Sequence, residues 1–295
     1  MITNYIENKK CYLCNSQKLS IKPGSVRDNK KLTILECDEC SLVFLSSFNH
    51  INNQEYEEGE MHNDDIGDGR ALELNELIEI SNKDDIRRFD QFKDTIMEKN
   101  ILDFGCGFGG FIKRAKTKAS LAHGVELEKR FKNYYKENEL QVFNDISKVE
   151  NNKYDIITLF HVLEHIPYPG ELLKKLSRLL NKDSQIIVEV PNIDDALITL
   201  YRNEAFSHFG YWSPHLYYFS VKTLEKLVLQ YGMKINYIEQ FQRYPLSNHL
   251  YWLAFGKPGG HEVFKMFNDE ELNLLYSKKI ANLGKCDTII ASITI

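Results

Sequence analysis

Three groups of residues have types and spacings that can do chemistry. The first is Cys11-Tyr-Leu-Cys14 with Cys37-Asp-Glu-Cys40. A CxxC turn puts two thiolates on one side of a tight loop, and two such turns supply four sulfurs for a tetrahedral Zn²⁺. The 22 residues between Cys14 and Cys37 are slightly more than the usual gap of roughly 15–20. Two disulfides are the alternative, and the N-terminus, MITNYIENKK, has no signal-peptide core that would favour them. The second group is Asp103-Phe-Gly105-Cys106-Gly107-Phe-Gly109-Gly110. Glycines let a backbone turn sharply and approach a ligand, and a helix that follows presents free N–H groups. Glu126, about 20 residues on, is placed to accept hydrogen bonds from ribose hydroxyls. The third group is His161, Glu164 and His165, at i, i+3 and i+4. An imidazole titrates near working pH and suits proton transfer. With His215 joining from later in the chain, the same residues are also plausible ligands for a divalent cation.

These groups need elements to hold them. Ile101 to Phe104 reads as a short apolar strand running into the glycine loop, and Phe111, Ile112 and Ala115 mark a helix after it. Gly124-Val125-Glu126 ends a second strand and Val142-Phe143 a third. Tyr154 to Phe160 is a buried strand leading to His161. Leu172, Leu173, Leu176, Leu179 and Leu180 form an amphipathic helix, and Gln185 to Val190 is the next strand. Strand alternating with helix predicts an α/β fold with a doubly wound sheet. Ahead of it, Pro23-Gly24 is a turn and Leu32 to Leu35 a strand, so residues 1–50 read as a small zinc ribbon. Residues 51–99 read as a helical linker, or a lid, with Ala71, Leu74, Leu77, Ile78, Ile86, Phe89, Phe92 and Ile96 at helical spacing; Tyr56, Met61 and His62 sit in its acidic part. Ser220 is expected to cap a helix from Val221 to Tyr231 that Gly232 ends. Strands are expected at Ile235–Phe241 and Thr288–Ile295. Residues 242–285 between them read as an insertion, contributing either to acceptor binding or to a solvated excursion. The aromatics of 201–219 either wall a pocket or fill core.

Two strings carry a family resemblance. Asp103-x-Gly105-x-Gly107-x-Gly109 resembles motif I of the class I S-adenosylmethionine (SAM) methyltransferases, and His161-Val-Leu-Glu164-His165-Ile-Pro167 follows the fourth strand as it does in that family. With the four cysteines, the chain resembles members that carry an N-terminal zinc-binding segment, among them sugar C-methyltransferases and enzymes of polysaccharide and antibiotic pathways. The resemblance covers about 1–241 and the final strand. It implies a seven-stranded Rossmann-like methyltransferase sheet over 100–295, with SAM as cofactor. It also implies cofactor contacts from Asp103, Gly105, Cys106, Gly107, Gly109, Glu126, Asp145, Ile146, Phe160 and His161, with Asp145-Ile146 at the adenine. Glu164 and His165 carry over as the catalytic pair, with the histidine as base. The sugar C-methyltransferases have a further C-terminal domain, whereas this sequence stops at the seventh strand. That departure counts against C-methylation of a nucleotide sugar, and the family likeness implies as acceptor a sugar or nucleotide-sugar hydroxyl in glycan or natural-product biosynthesis. Gly105-x-Gly107-x-x-Gly110 also matches the dinucleotide fingerprint, but an NAD-dependent oxidoreductase leaves His161 to Pro167 without a role.

Composition bounds the rest. Of 295 residues, 43% are hydrophobic and 27% charged, an ordinary globular balance that excludes disorder and fibrous classes. Net charge is −5, and it is uneven: +2 over residues 1–50, −9 over 51–100 and +2 over the remainder. No segment has the basic excess that nucleic-acid backbones favour. An RNA or protein methyltransferase that docks through its ribbon, and a protein that holds SAM without catalysis, are the alternatives. No apolar run approaches a membrane span, so a cytoplasmic enzyme acting on a small molecule is the expectation.

Overall fold

The computed structural model describes residues 8–51, 57, 74–149 and 153–295. The chain opens with three short strands, β1 (Leu19–Ile21), β2 (Ile34–Cys37) and β3 (Val43–Leu45). Gly24, at φ 130°, turns the chain between the first two. The strand expected at Leu32–Leu35 starts instead at Ile34, because the Leu32 amide is bonded to the Asn29 carbonyl of the preceding turn. Helix α1 (Leu74–Phe92) comes next. The expectations on Tyr56, Met61, His62 and Ala71 lie outside the described residues. The apolar spacing placed Ile86 on the inner face of this helix, yet Ile86 is exposed while Asp85 and Arg88 are buried. The reason lies in the site it covers, described below.

Strand and helix then alternate: β4 (Asn100–Phe104), α2 (Gly110–Ala115), β5 (Leu121–Val125), α3 (Lys132–Glu137), β6 (Gln141–Phe143), β7 (Tyr154–Phe160), α4 (Pro169–Ser177) and β8 (Leu180–Pro191). The predicted leucine helix stops at Ser177, short of Leu179 and Leu180. The Leu179 carbonyl accepts from the Tyr154 amide, and Leu180 pairs with Tyr154 across a ladder that shifts register before Ile156. Asp183, at φ 61°, lets β8 make that irregular start. After β8 come α5 (Ala196–Thr199), α6 (Glu204–Ser207), β9 (Tyr217–Tyr218), α7 (Val221–Gln230) and β10 (Lys234–Phe241). Ser220 caps α7 in a reciprocal pair with Thr223. Residues 242–285 hold α8 (Leu246–Phe255), α9 (Gly260–Val263) and α10 (Glu270–Asn282), and β11 (Thr288–Thr294) follows.

The large sheet has seven strands in the order β10-β11-β8-β7-β4-β5-β6. Strands β4 to β8 run parallel, and β11 lies antiparallel between β8 and β10. This is the doubly wound seven-stranded sheet that the sequence implies. β7 is apolar through most of its length because a central parallel strand is covered on both faces. From β4 the chain first winds outward to β5 and β6, then crosses back to β7. The crevice beyond the carboxyl ends of β4 and β7 is therefore the switch point at which such sheets bind ligands.

The small sheet has the order β1-β2-β3-β9. Its fourth strand, β9, comes from the C-terminal half and pairs as Val43↔Tyr218 and Phe44↔Tyr217. Cys11, Val43, Phe44 and Leu216 share one hydrophobic core with Leu102, Ile157 and Val188 of the large sheet. Tyr211, Tyr217, Tyr218 and Phe219 are buried in that core, so these aromatics of the 201–219 stretch fill core, while Trp212 stays half-exposed beside the crevice.

Candidate active site

The glycine loop is strapped to its neighbouring strand. The amides of Gly105 and Cys106 both donate to the Val125 carbonyl, at 2.8 and 3.2 Å. Gly105, Gly107 and Gly109 all have positive φ, at 74°, 51° and 82°. A Cβ on Gly105 would overlap the Val162 side chain, whereas one on Gly107 would meet nothing within 4 Å. The loop is tight at its start and opens onto free space at its middle. Glu126 stands just past β5, and its carboxylate accepts from the Gly107 amide at 2.8 Å and from the Glu128 amide at 2.9 Å. Burial raises its pKa, against the pull of those amides. Asp103 is buried near the end of β4 and accepts from Thr158 Oγ1 at 2.6 Å. Burial pushes its carboxyl up to about 7, although the Thr158 bond favours the charged form. Cys106 fits against Gly124, where a Cβ would collide with its sulfur. Asp145 is exposed after β6 and receives the Ser147 amide at 2.7 Å, with Ile146 beside it half-buried. Phe160 is placed differently: its ring lies in the core against Phe92 and Phe111, with the Arg88 guanidinium 4.7 Å above it.

The turn after β7 carries the third group. His161 ends the strand at φ 56°. Its Nδ1 lies 3.2 Å from Glu164 Oε1, and its Nε2 lies 3.3 Å from Glu189 Oε1 and 3.2 Å from Arg243 Nη1. Burial disfavours the charged imidazole, but the two carboxylates raise its pKa overall. Glu164 is 1% exposed, and its Oε2 is buried without a hydrogen-bond partner. Burial would raise its pKa, yet the bond from His161 and the neighbouring histidines hold it down at about 2. His165 Nδ1 is 2.9 Å from the Pro214 carbonyl oxygen. A carbonyl only accepts, so Nδ1 is the donor in this bond. The His215 ring packs edge-on to the His165 ring at 4.8 Å, and Trp212 closes the cluster. Atoms of Glu164, His165 and His215 able to ligate a metal all lie within 4.8 Å of one another. His161, at the spacing that suggested a ligand, is turned to Glu189 instead.

Glu189 and its partners were not singled out in the sequence. Glu189 lies on β8, fully buried. Its carboxylate takes Arg87 at 2.7 and 2.9 Å and Arg88 at 2.8 Å, both from α1. Burial works against its charge, but Arg88, His161 and Arg87 hold its pKa well below the usual range. Arg243, just after β10, pairs with Asp84 on α1. Its backbone amide donates to Asp287 before β11 at 3.0 Å. This is why α1 buries Asp85 and Arg88 rather than Ile86. The helix is seated by charge over the carboxyl ends of β7 and β8. One signal was available: Glu189 is a lone acid in the run Ile186 to Val190, and a charge in a central strand needs partners.

The four N-terminal cysteines come together as their spacing suggests. Sγ of Cys11 is 3.4 Å from that of Cys40, and Cys14 is 3.4 Å from Cys37. All four sulfurs lie within 4.8 Å of one another. A disulfide needs about 2.05 Å, while sulfurs bound to one tetrahedral Zn²⁺ at about 2.3 Å sit about 3.8 Å apart. The cluster fits the metal.

A family profile described as a methyltransferase domain matches residues 76–237, more than half of the chain. An uncharacterized protein of Methanocaldococcus jannaschii is 30% identical over 142 residues, which is 48% of this chain and 57% of that protein. A ubiquinone biosynthesis O-methyltransferase of Coxiella burnetii is 27% identical over 108 residues, 33% of this chain and 46% of that one. The chain thus spans about half the length of the curated relatives it matches. A SAM-dependent methyltransferase structure from Archaeoglobus fulgidus aligns at a TM-score of 0.49 and 20% identity, over 75% of this chain and 99% of that one. The profile match spans the glycine loop, Glu126 and the turn from His161 to His165, on the seven-stranded sheet described above. The chain belongs to the methyltransferase-domain family, with the class I SAM-dependent fold.

Proposed function

We propose that this chain transfers a methyl group from SAM to a hydroxyl of a small polar acceptor, a sugar or nucleotide sugar. The observation that carries the reading is the open cradle at Gly107 facing Glu126. Space free of side chains lies over the loop, and a carboxylate stands at the end of β5, where ribose hydroxyls are held in such sheets. Gly105, Cys106, Gly107 and Gly109 would line the cofactor on one side. Asp103 underpins the loop from β4, and Asp145 with Ile146 would reach the adenine. When bound, SAM supplies an electrophilic methyl on a sulfonium.

The protein's part is to place the acceptor and to handle its proton. Val162 packs onto Gly105, so the cofactor loop and the Glu164–His165 turn share one wall. His165 Nε2, with Nδ1 committed to Pro214, is the atom that takes the acceptor's proton. The buried charge of Glu164 steadies the imidazolium that forms. Zn²⁺ on Cys11, Cys14, Cys37 and Cys40 would be structural. No segment of the sequence has the basic excess that nucleic-acid backbones favour, and among the described residues no helix is long and apolar enough to cross a membrane.

Calorimetry with SAM, followed by an acceptor screen by mass spectrometry, tests this. His165→Ala should bind SAM as the wild type does and turn over about 10²–10⁴-fold more slowly. If the chain takes up NAD and no SAM, the reading is wrong.

A further inference from the structure

We propose that α10 is a dimer face, at which it packs antiparallel against α10 of a second copy of this chain. Such a dimer does not depend on the methyl-transfer reading.

The outward side of the 242–285 segment is apolar. Of the 19 large apolar side chains exposed among the described residues, 10 lie in this segment, so the uncovered apolar surface is gathered in one region rather than scattered. Within the segment, α10 is committed on two opposite sides. Asn273, Tyr276 and Ile280 turn inward: Asn273 accepts from the Leu246 amide at 3.0 Å, Tyr276 meets His249, and Ile280 is 2% exposed. Glu271, Leu274, Leu275 and Lys278 follow at i, i+3, i+4 and i+7 and are all exposed. That spacing puts them in one stripe on the far side of the helix. Its two leucines are 55% and 59% exposed, where a solvated helix face carries polar residues.

The stripe is self-complementary, and this chooses the partner. A two-fold interface sets residue i against residue j, and j against i. With the axis between Leu274 and Leu275, each of these leucines meets the other in the second copy. Glu271 then faces Lys278, and Glu270 faces Lys279. A parallel pair in register would set acid against acid and base against base. Within one chain Glu271 and Lys278 are separated by about 10.5 Å along the axis, too far to pair. Among the described residues none of these four charges has an ion-pair partner. The helix dipole accounts for acids in the first turn and lysines in the last, but it gives no reason for exposed leucines between them. Met266 and Phe267 lie just before α10 and Leu283 caps its end, all three exposed. An antiparallel pair brings the start of one helix to the end of the other, so these side chains lengthen the apolar seam.

The test is sedimentation equilibrium of the full chain at low ionic strength. The expected wild type is a dimer at twice the 34.5 kDa of one chain. Leu275→Glu should raise the dissociation constant more than about 100-fold, because it sets a carboxylate in the middle of the seam from both copies. Glu271→Lys and Lys278→Glu should each raise it about tenfold or more, since each turns two attractions of the symmetric pair into repulsions. Mixed in equal amounts, those two variants should form a heterodimer within about threefold of the wild-type affinity, because every reversed charge then meets an opposite one. Far-ultraviolet circular dichroism reports that each variant is folded. A wild type that stays monomeric at about 100 μM overturns the proposal and leaves the face to a partner of another kind. A dimer that Leu275→Glu leaves unchanged, or charge variants whose mixture associates no better than either alone, overturns it as well.

Discussion

At the scale of single residues, the two ends of the glycine loop should respond differently to the same methyl group. Gly107→Ala places a Cβ in open space at φ 51°. It should cost about 1–2 kcal/mol for the left-handed backbone and leave the fold intact. It should also weaken SAM binding about tenfold or more, equivalent to about 1.4 kcal/mol, because the methyl enters the cradle. Gly105→Ala adds an overlap with Val162 to the same backbone cost, so its unfolding midpoint should fall further. Urea unfolding and SAM calorimetry on both variants check this; equal losses of stability would show that the Val162 contact yields freely. Glu189→Gln removes a buried charge that meets Arg87, Arg88 and His161. Stranding those cations should cost about 3–5 kcal/mol, again read by urea unfolding. The glycine loop was legible in the sequence because its geometry is local, one strand, one turn and one helix in about ten residues. Glu189 was not. Its partners are about a hundred residues away in the chain, and nothing in a helical periodicity says that Arg88 rather than Ile86 faces inward.

At the scale of elements, the ribbon and the catalytic turn are joined by backbone hydrogen bonds. The Leu45 amide at the end of β3 donates to the Leu216 carbonyl at 3.0 Å, and the Leu216 amide donates to the Glu164 carbonyl at 2.8 Å. His50 Nε2 reaches the Ser213 carbonyl at 2.7 Å, and Asp28 takes the Ser213 amide at 3.0 Å. The loop that carries Trp212, Pro214 and His215 therefore hangs from the ribbon, whose apolar residues join the core of the large sheet and whose cysteine end would lean on its metal. Among the described residues the glycine loop makes no backbone bond to the ribbon; it is tied to Val125 and Glu126. Stripping Zn²⁺ with a chelator should thus lower turnover at least about tenfold while SAM affinity changes less than about threefold, as seen by paired activity and calorimetry. Parallel loss of both would mean that the ribbon supports the whole sheet. The CxxC pairs made the cysteine cluster legible. The pairing of β3 with Tyr217–Tyr218 was not, because a two-residue strand has no period to read and its partner lies about 170 residues earlier.

At the scale of the molecule, the 242–285 segment is tied to the strand ends by buried polar groups rather than by a broad apolar face. Phe255, Met266, Leu274 and Leu275 point outward, while His249 of α8 is 1% exposed. Its Nδ1 meets the Tyr276 hydroxyl of α10 at 2.6 Å, and its Nε2 lies 3.2 Å from the Gln242 amide. Gln242 in turn donates to Asp287 at 2.7 Å, just ahead of β11. Burial lowers the His249 pKa from 6.5 to about 4, so the folded chain holds fewer protons at this residue than the unfolded chain between those values. Stability from this group is therefore present above pH 6.5 and is lost as pH falls toward 4. A shift of that size corresponds to about 3 kcal/mol. His249→Gln keeps a polar side chain beside Gln242 and Tyr276 but cannot titrate. Between pH 7 and pH 4.5 the wild-type unfolding free energy should drop more steeply than that of the variant, by up to about 3 kcal/mol, in urea unfolding at matched ionic strength. The acid-induced change should appear first as protease cutting within 246–283, since those helices lose their anchor to β10 and β11 before the parallel strands lose theirs. Curves that fall in parallel would mean that His249 opens to water in the native state, and that the segment is held by its remaining contacts with the sheet.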